Sequence, residues 1–276
     1  MINMNLIIRK INAFKRLKKS IGKQYTHPNY FMFSYFLKKY IRINVLPIIT
    51  LENGIKFNLE KVTDYLLVIE YFYNYYNIQD IKNKEIIIDV GANAGDFSIF
   101  LSKDAKKIYA FEPVPKIYKR FTNNLKLNKI TNIQAYNLGI YSKKTTVKIN
   151  VPEQDGCSKI SSDGNTIIKT ITWDDLYKLI DSPKKIDLLK LDCEGCEYSL
   201  LSAPTILKYI QEIRMELHLF NIQDIERAKS FLKLMKINGL KINHLIYEQK
   251  KIQETDINKY MTGNEVFEIH FIKKIK

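Results

Sequence analysis

The sequence predicts an α/β protein built on a doubly wound, mostly parallel sheet. Three observations carry that reading. From Glu85 onward, strand and helix patterns alternate to the end of the chain. The strand-like segments are near-continuous apolar runs, such as "EIIIDV" and "KIDLLKLD", as in strands covered by helices on both faces. The first of them ends in a glycine-rich turn, "DVGANAG", which leads into a helix. Ligands of such sheets bind outside the carboxyl ends of the strands. With 276 residues the chain has room for one large domain and a small extension.

The elements follow in order. Ile7, Ile11, Phe14, Leu17 and Ile21 recur near the helical period, with basic residues between them. Residues 1–49 are therefore read as a basic amphipathic arm; its 30–40 stretch, "YFMFSYFLKKY", is aromatic-rich. "ITLENGIKFNLE" reads as a hairpin turning on Asn53-Gly54. Residues 62–78 repeat apolar and aromatic groups at helical spacing. Residues 50–83 are thus expected to pack on the edge of the main domain, 84–276. There "EIIIDV" is a strand, "DFSIFLSKDA" a helix and "KIYAFEP" a strand. "PKIYKRFTNNLKLN" is a helix with Pro115 in its first turn, and "NIQAYNLGI" a strand. "TTVKINV" and "NTIIKTIT" are strands around a polar loop with Gly156 and Gly164. "WDDLYKLI" is a short helix, "KIDLLKLD" a strand, and "YSLLSAPTILKYI" mostly helix, disturbed at Pro204. "EIRMELHLF" is a strand, 222–237 a helix, and "LKINHLIYE" and "EVFEIHFIKK" are closing strands.

Charge is uneven. The net charge is +15, and residues 1–50 hold ten Lys or Arg and no Asp or Glu. So local an excess calls for an acidic partner. With its apolar stripe, the segment 1–24 suits an anionic membrane surface; the same stripe would equally serve to dock it on the domain. No apolar run reaches the ~18 residues of a membrane span. Arg9 and Lys10 break any signal-peptide core. The expected location is cytoplasmic, with peripheral contact at the membrane. Three cysteines, an odd and low count, argue against a disulfide framework.

The glycine-rich turn carries the ligand reading. A dinucleotide loop needs Gly-x-Gly-x-x-Gly, but here Asn93 stands between Gly91 and Gly95. Asn93 closes the gap through which a pyrophosphate approaches. Asp89 would repel a phosphate and suits a cation. Glu112 follows Asp89 by 23 residues, close to the ~20 expected for a ribose-binding carboxylate. An adenosine ligand with a positive charge and no phosphate is S-adenosylmethionine. Pro113 and Asn137, in "AFEPVP" and "AYNLGI", are placed beside it.

The order of "DVGANAGDFS", "AFEPVP", "NNLKLNKITNIQAYNLGI", "LLKLDCEGCEYSLL" and "MELH" resembles FkbM-family methyltransferases over residues 50–275. The most specific block runs from Lys190 to Glu197, where the family pattern is Lys-aliphatic-Asp-Val-Glu-Gly-Ala-Glu. The resemblance implies a class I methyltransferase sheet of seven strands with an antiparallel last strand. It also implies O-methylation of a hydroxyl, often on a sugar or small natural product. Cys193 and Cys196 depart from the pattern. A C-x-x-C pair can serve zinc or redox chemistry, but no second Cys/His pair accompanies it, and the expectation is two small buried apolar residues.

Methyl transfer needs donor binding, alignment of the acceptor and removal of its proton. Asp192, Glu194, Glu216 and His218 end the fourth and fifth strands and are the candidate catalytic groups. Glu197 can instead lie on the next helix. His218, neutral, is expected to take the proton, and Asp192 to orient the acceptor or hold the donor's amine. No firm metal pattern is visible, so no metal is expected. An Asn/Asp-Pro-Pro-aromatic motif for amine acceptors is lacking. The leading reading is O-methylation of a glycan or small metabolite. RNA methylation with the arm as grip is the second reading, although apolar residues at helical period fit a membrane better. A non-catalytic module that keeps only the donor loop is the third.

Overall fold

The computed structural model describes residues 37, 48–51, 53–58, 75–151, 159–248 and 250–273. The arm helix over 5–21, the helical stretch over 62–74 and the loop around Gly156 lie outside the described residues.

The first described element is an antiparallel hairpin of β1 (Ile48–Thr50) and β2 (Lys56–Asn58). Its turn is longer than the two residues expected: Leu51 N–H donates to Ile55 O at 2.8 Å, so the loop spans 51–55. Asn124 and Asn128 of the helix Pro115–Leu127 seize β2 through its backbone. Asn128 both donates to and accepts from Lys56 at 2.7 Å, and Asn124 Oδ1 accepts from Asn58 N–H at 3.1 Å.

The chain then alternates through β3 (Lys84–Val90), β4 (Ala105–Phe111) and β5 (Ile133–Tyr136). A second sheet takes β6 (Gly139–Ile140), β7 (Thr145–Asn150), β8 (Lys159–Ile160) and β9 (Thr166–Ile171). The main sheet resumes with β10 (Leu188–Leu191), β11 (Glu212–His218), β12 (Leu240–Tyr247), β13 (Lys250–Lys251) and β14 (Val266–Lys273). Its order is β13-β12-β14-β11-β10-β3-β4-β5. The count is therefore eight, not seven; the extra strand is β13, two residues folded back on the end of β12. The central pairs are parallel, and β14, the last strand, runs antiparallel between β11 and β12. Strand order reverses between β3 and β10, which is where a doubly wound sheet opens a crevice.

Helices cover both faces. Phe231, Met235 and Trp173 fill one side, and Phe97, Ile99, Phe121 and the hairpin's Phe57 the other. The helix at Trp173–Leu179 starts on a reciprocal capping box between Thr172 and Asp175.

Three elements differ from expectation. "NIQAYNLGI" breaks into β5 and β6, because the Asn137 amide donates to Glu112 O and Pro113 O, both at 2.9 Å, and turns the chain off the sheet. The helix in "DFSIFLSKDA" stops at Phe100. Ser102 and Asp104 N–H then bond three residues back, and Asp104 O accepts from Lys84 N–H at 2.8 Å, starting β4 early. "YSLLSAPTILKYI" forms two 3₁₀ segments, Cys196–Ser202 and Pro204–Lys208. Proline excludes Ala203 from helical geometry and separates them.

Candidate functional site

A cavity of ≈ 590 Å³ lies at the carboxyl ends of β3, β4, β10 and β11. That volume is in the range of small-molecule sites. Its floor is the glycine-rich turn. Gly91 has φ +80°, and a Cβ there would sit 1.7 Å from the Asp192 carbonyl oxygen, so only glycine allows this approach. Gly95, at φ +88°, is pressed in the same way against the Phe121 ring and serves helix packing, not the cavity.

Glu112 is buried and ties both loops together: Oε2 accepts from Asn93 N–H at 2.9 Å and Oε1 from Val114 N–H at 2.8 Å. A carboxylate offers about four lone-pair sites, so capacity remains for ligand hydroxyls. Burial, only partly offset by those two N–H groups, pushes its pKa up to about 7. Gly91, Asn93, Glu112 and Pro113 line the cavity; Asn137 stands behind, holding the carbonyls of Glu112 and Pro113.

Asp89 does not face the cavity as expected. It is fully buried, with Oδ2 accepting from Ser98 Oγ at 2.6 Å and Oδ1 3.5 Å from Lys190 Nζ. The carboxylate exposed to a cationic ligand is instead that of Asp96, which lines the cavity. Burial pushes Asp96 up to about 7, against the pull of Lys190. Lys190 is the second residue that sequence reasoning passed over. Its ammonium donates to Gly91 O at 2.7 Å and lies 3.5 Å from Asp89 and 3.6 Å from Asp192. Burial disfavours this charge, but Asp89, Asp192, Asp96 and Glu216 together raise its pKa. Its signal was a charge inside the apolar run "KIDLLKLD". Tyr76, whose Oη donates to Asp192 Oδ2 at 2.9 Å, left no signal in the sequence.

One wall of the cavity carries Asp192, Glu194 and Glu216. Asp192 is pushed up to about 6, first by burial and then by Glu216 and Glu194, against Lys190 and His218. His218 is buried behind this wall. Nδ1 lies 3.0 Å from Glu197 Oε1, and Nε2 lies 3.2 Å from Glu216 Oε2 and 3.4 Å from Glu194 Oε2. Burial opposes its charge, but the hydrogen bonds to Glu197 and Glu216 prevail and push its pKa up to about 11. The expectation of a neutral His218 that accepts a proton does not fit this geometry: both ring nitrogens face carboxylates, which favour the imidazolium. Asp192, Glu194 and His218 also present ligand-type atoms within 4.8 Å of one another. This juxtaposition was invisible in sequence; in it His218 Nε2 faces Glu216 Oε2 at 3.2 Å and Glu194 Oε2 at 3.4 Å.

Cys193 and Cys196 are not separate buried apolar residues. They are half-buried, line the cavity and are joined in a disulfide with a Cα–Cα distance of 5.4 Å.

The cavity fits S-adenosylmethionine on its own geometry. Gly91 provides close backbone approach, Glu112 an acceptor at ribose height in such folds, and Asp96 a counter-charge for a cation. We expect Glu112→Ala to weaken binding of the demethylated donor product by about 1.5–3 kcal/mol, because a charged acceptor for ligand hydroxyls is lost. Calorimetry giving an unchanged Kd would remove Glu112 from the donor site.

The family description "Methyltransferase FkbM domain" matches residues 89–271. The chain is 29% identical over 160 residues to hexuronic acid methyltransferase AglP of Haloferax volcanii, covering 57% of this chain and 66% of that one. It is 25% identical over 151 residues to Methyltransferase 1 of Beauveria bassiana, covering 46% of this chain and 61% of that one. These matches span just under two thirds of the relatives' own lengths. A solved structure, Trm5b from Pyrococcus abyssi, is similar at TM-score 0.46 and 15% identity, over 83% of this chain and 56% of that one. With this family match and a sheet in class I order, the chain belongs to the FkbM methyltransferase domain family, whose methyl donor is S-adenosylmethionine.

Proposed function

We propose that the protein methylates a hydroxyl oxygen of a glycan or small polyhydroxylated metabolite. The observation that carries this is the row of carboxylates, Asp192, Glu194 and Glu216, facing the cavity that Glu112 also lines. Carboxylates are acceptor-only groups that orient hydroxyls. Bound in this cavity, the donor supplies an electrophilic methyl group. Asp192 takes the acceptor's proton: its pKa near 6 is close to the working pH, where a general base is most effective. Glu194 and Glu216 hold neighbouring hydroxyls. Tyr76 Oη and Lys190 keep Asp192 in place, and the His218 imidazolium fixes Glu194 and Glu216.

The relative from Haloferax volcanii, a hexuronic acid methyltransferase by name, supports a sugar acceptor. The negative wall here favours a neutral sugar over a uronate anion, and it opposes the phosphates of RNA. Incubation with the donor and a panel of neutral glycosides and uronates, followed by mass spectrometry, tests this. A gain of about 14 mass units on neutral glycosides is expected. Modification of amines or RNA alone would overturn the reading.

The basic segment 1–24 we assign to an anionic membrane surface, as a unit apart from the domain 84–276. Among the described residues no helix is long and apolar enough to cross a membrane. Full-length protein should sediment with phosphatidylserine vesicles at low salt and release as salt rises, at about 1 kcal/mol per basic residue near the surface. If the protein lacking 1–24 sediments equally, the assignment fails.

A further inference from the structure

We propose that Cys193 and Cys196 form a redox-active disulfide that shapes the acceptor wall and is opened by a small thiol or dithiol entering the cavity. The bond brackets only Glu194 and Gly195, and all four residues line the cavity. Both cysteines are half-buried, so a sulfur can be reached by a small reductant.

The bridged turn is conformationally unusual. Glu194 has φ 56° and Gly195 φ 105°, two successive left-handed residues of which one is not glycine. A non-glycine residue persists there when its surroundings over-determine it, and the sulfur bridge is one such constraint. The turn is anchored on both sides. Cys193 N–H donates to Glu197 Oε1 at 3.3 Å, the oxygen that also holds His218 at 3.0 Å. Cys196 O accepts from Ser199 Oγ at 2.6 Å, and Ser199 Oγ accepts from Trp173 Nε1 at 2.7 Å. Any movement of the turn therefore reaches Glu194 in the wall and Trp173 in the core.

The reaction is thiol–disulfide exchange. A thiolate attacks one sulfur, the S–S bond breaks, and the other cysteine leaves as a thiolate that takes a proton. A second thiolate then attacks the reductant's sulfur in the mixed disulfide, the remaining protein–reductant S–S bond breaks, and the second cysteine leaves as a thiolate that takes a proton. The protein gains two electrons and two protons, and the reductant leaves as its own disulfide. The freed sulfurs must part from bonding distance to non-bonded contact, which widens the turn and moves Glu194 relative to His218.

The test needs no methyl acceptor, so its failure is separable from failure of the proposed function. Full-length protein is equilibrated in mixtures of reduced and oxidised dithiothreitol, then alkylated with iodoacetamide and peptide-mapped. Trp173, the single tryptophan, reports on the turn by its fluorescence. We expect two alkylated residues, Cys193 and Cys196, to appear in one step, with Trp173 emission changing at the same midpoint. Cys157→Ser excludes mispairing, and its oxidised form should lack two hydrogens by mass. The double variant Cys193→Ser, Cys196→Ser should show the reduced emission under oxidant; should it not fold, Cys157→Ser alone carries the test. Alkylation of both residues after full oxidation would overturn the proposal. So would identical Trp173 emission in both states of Cys157→Ser.

Discussion

Replacing His218 with alanine is expected to destabilise the fold by about 3–5 kcal/mol, the cost of stranding a buried charge whose partner is removed. Glu197 is fully buried and its Oε1 depends on His218 Nδ1 and a long bond from Cys193 N–H; Oε2 has no hydrogen-bond partner. The pH dependence follows from the raised pKa. A histidine whose folded value lies at about 11, against 6.5 unfolded, contributes its full stabilisation below pH 6.5 and loses it progressively as pH rises toward 11. Denaturant titrations of wild type from pH 6 to 10 should show this decline, and His218→Ala should flatten it. If the variant is as stable as wild type at pH 6, the imidazolium is not what holds Glu197. His218→Gln, which can still donate one hydrogen bond, should fall between the two.

The second large effect concerns turnover. Asp192→Asn should lower kcat by roughly 10²–10⁴-fold, the usual contribution of a general base. Binding of the demethylated donor product should change far less, since Glu112 and Asp96 remain. In wild type kcat, measured at saturating donor so that Asp96 and Glu112 do not limit it, should rise with pH through about 6, as Asp192 loses its proton, and then level off. The limb belongs to Asp192 and should vanish in Asp192→Asn. A variant that retains wild-type kcat, or loses only donor affinity, would move the base to Glu194 or Glu216. His218→Gln sharpens the distinction. If His218 acted as base, that variant would lose turnover as completely as Asp192→Asn; as a positioning residue it should leave the pH limb in place.

Much of this architecture was legible in the amino-acid order because it is local. Strands of a parallel sheet are buried on both faces and read as apolar runs. Gly91 and Glu112 carry their own signals, since a ligand loop at a strand end needs backbone freedom and an acceptor at a set distance. Lys190 and Asp192 stood in a specific motif. The sequence also placed Glu216 and His218 on one side of β11 by simple alternation.

What it could not determine was decided by neighbours distant along the chain. Asp89 reads as a ligand-facing acid, but Ser98 and Lys190 enclose it and Asp96 takes the exposed place. Tyr76 reaches Asp192 across 116 residues of sequence. Asn137 splits what reads as one strand because its amide donates to two carbonyls of another loop. The charge of His218 is the clearest case. An isolated imidazole titrates near ~6.5, and nothing in "MELH" says otherwise. Only the fold gathers Glu194, Glu197 and Glu216 around one ring, and electrostatic work over a few ångströms in a buried site then outweighs the ring's intrinsic preference.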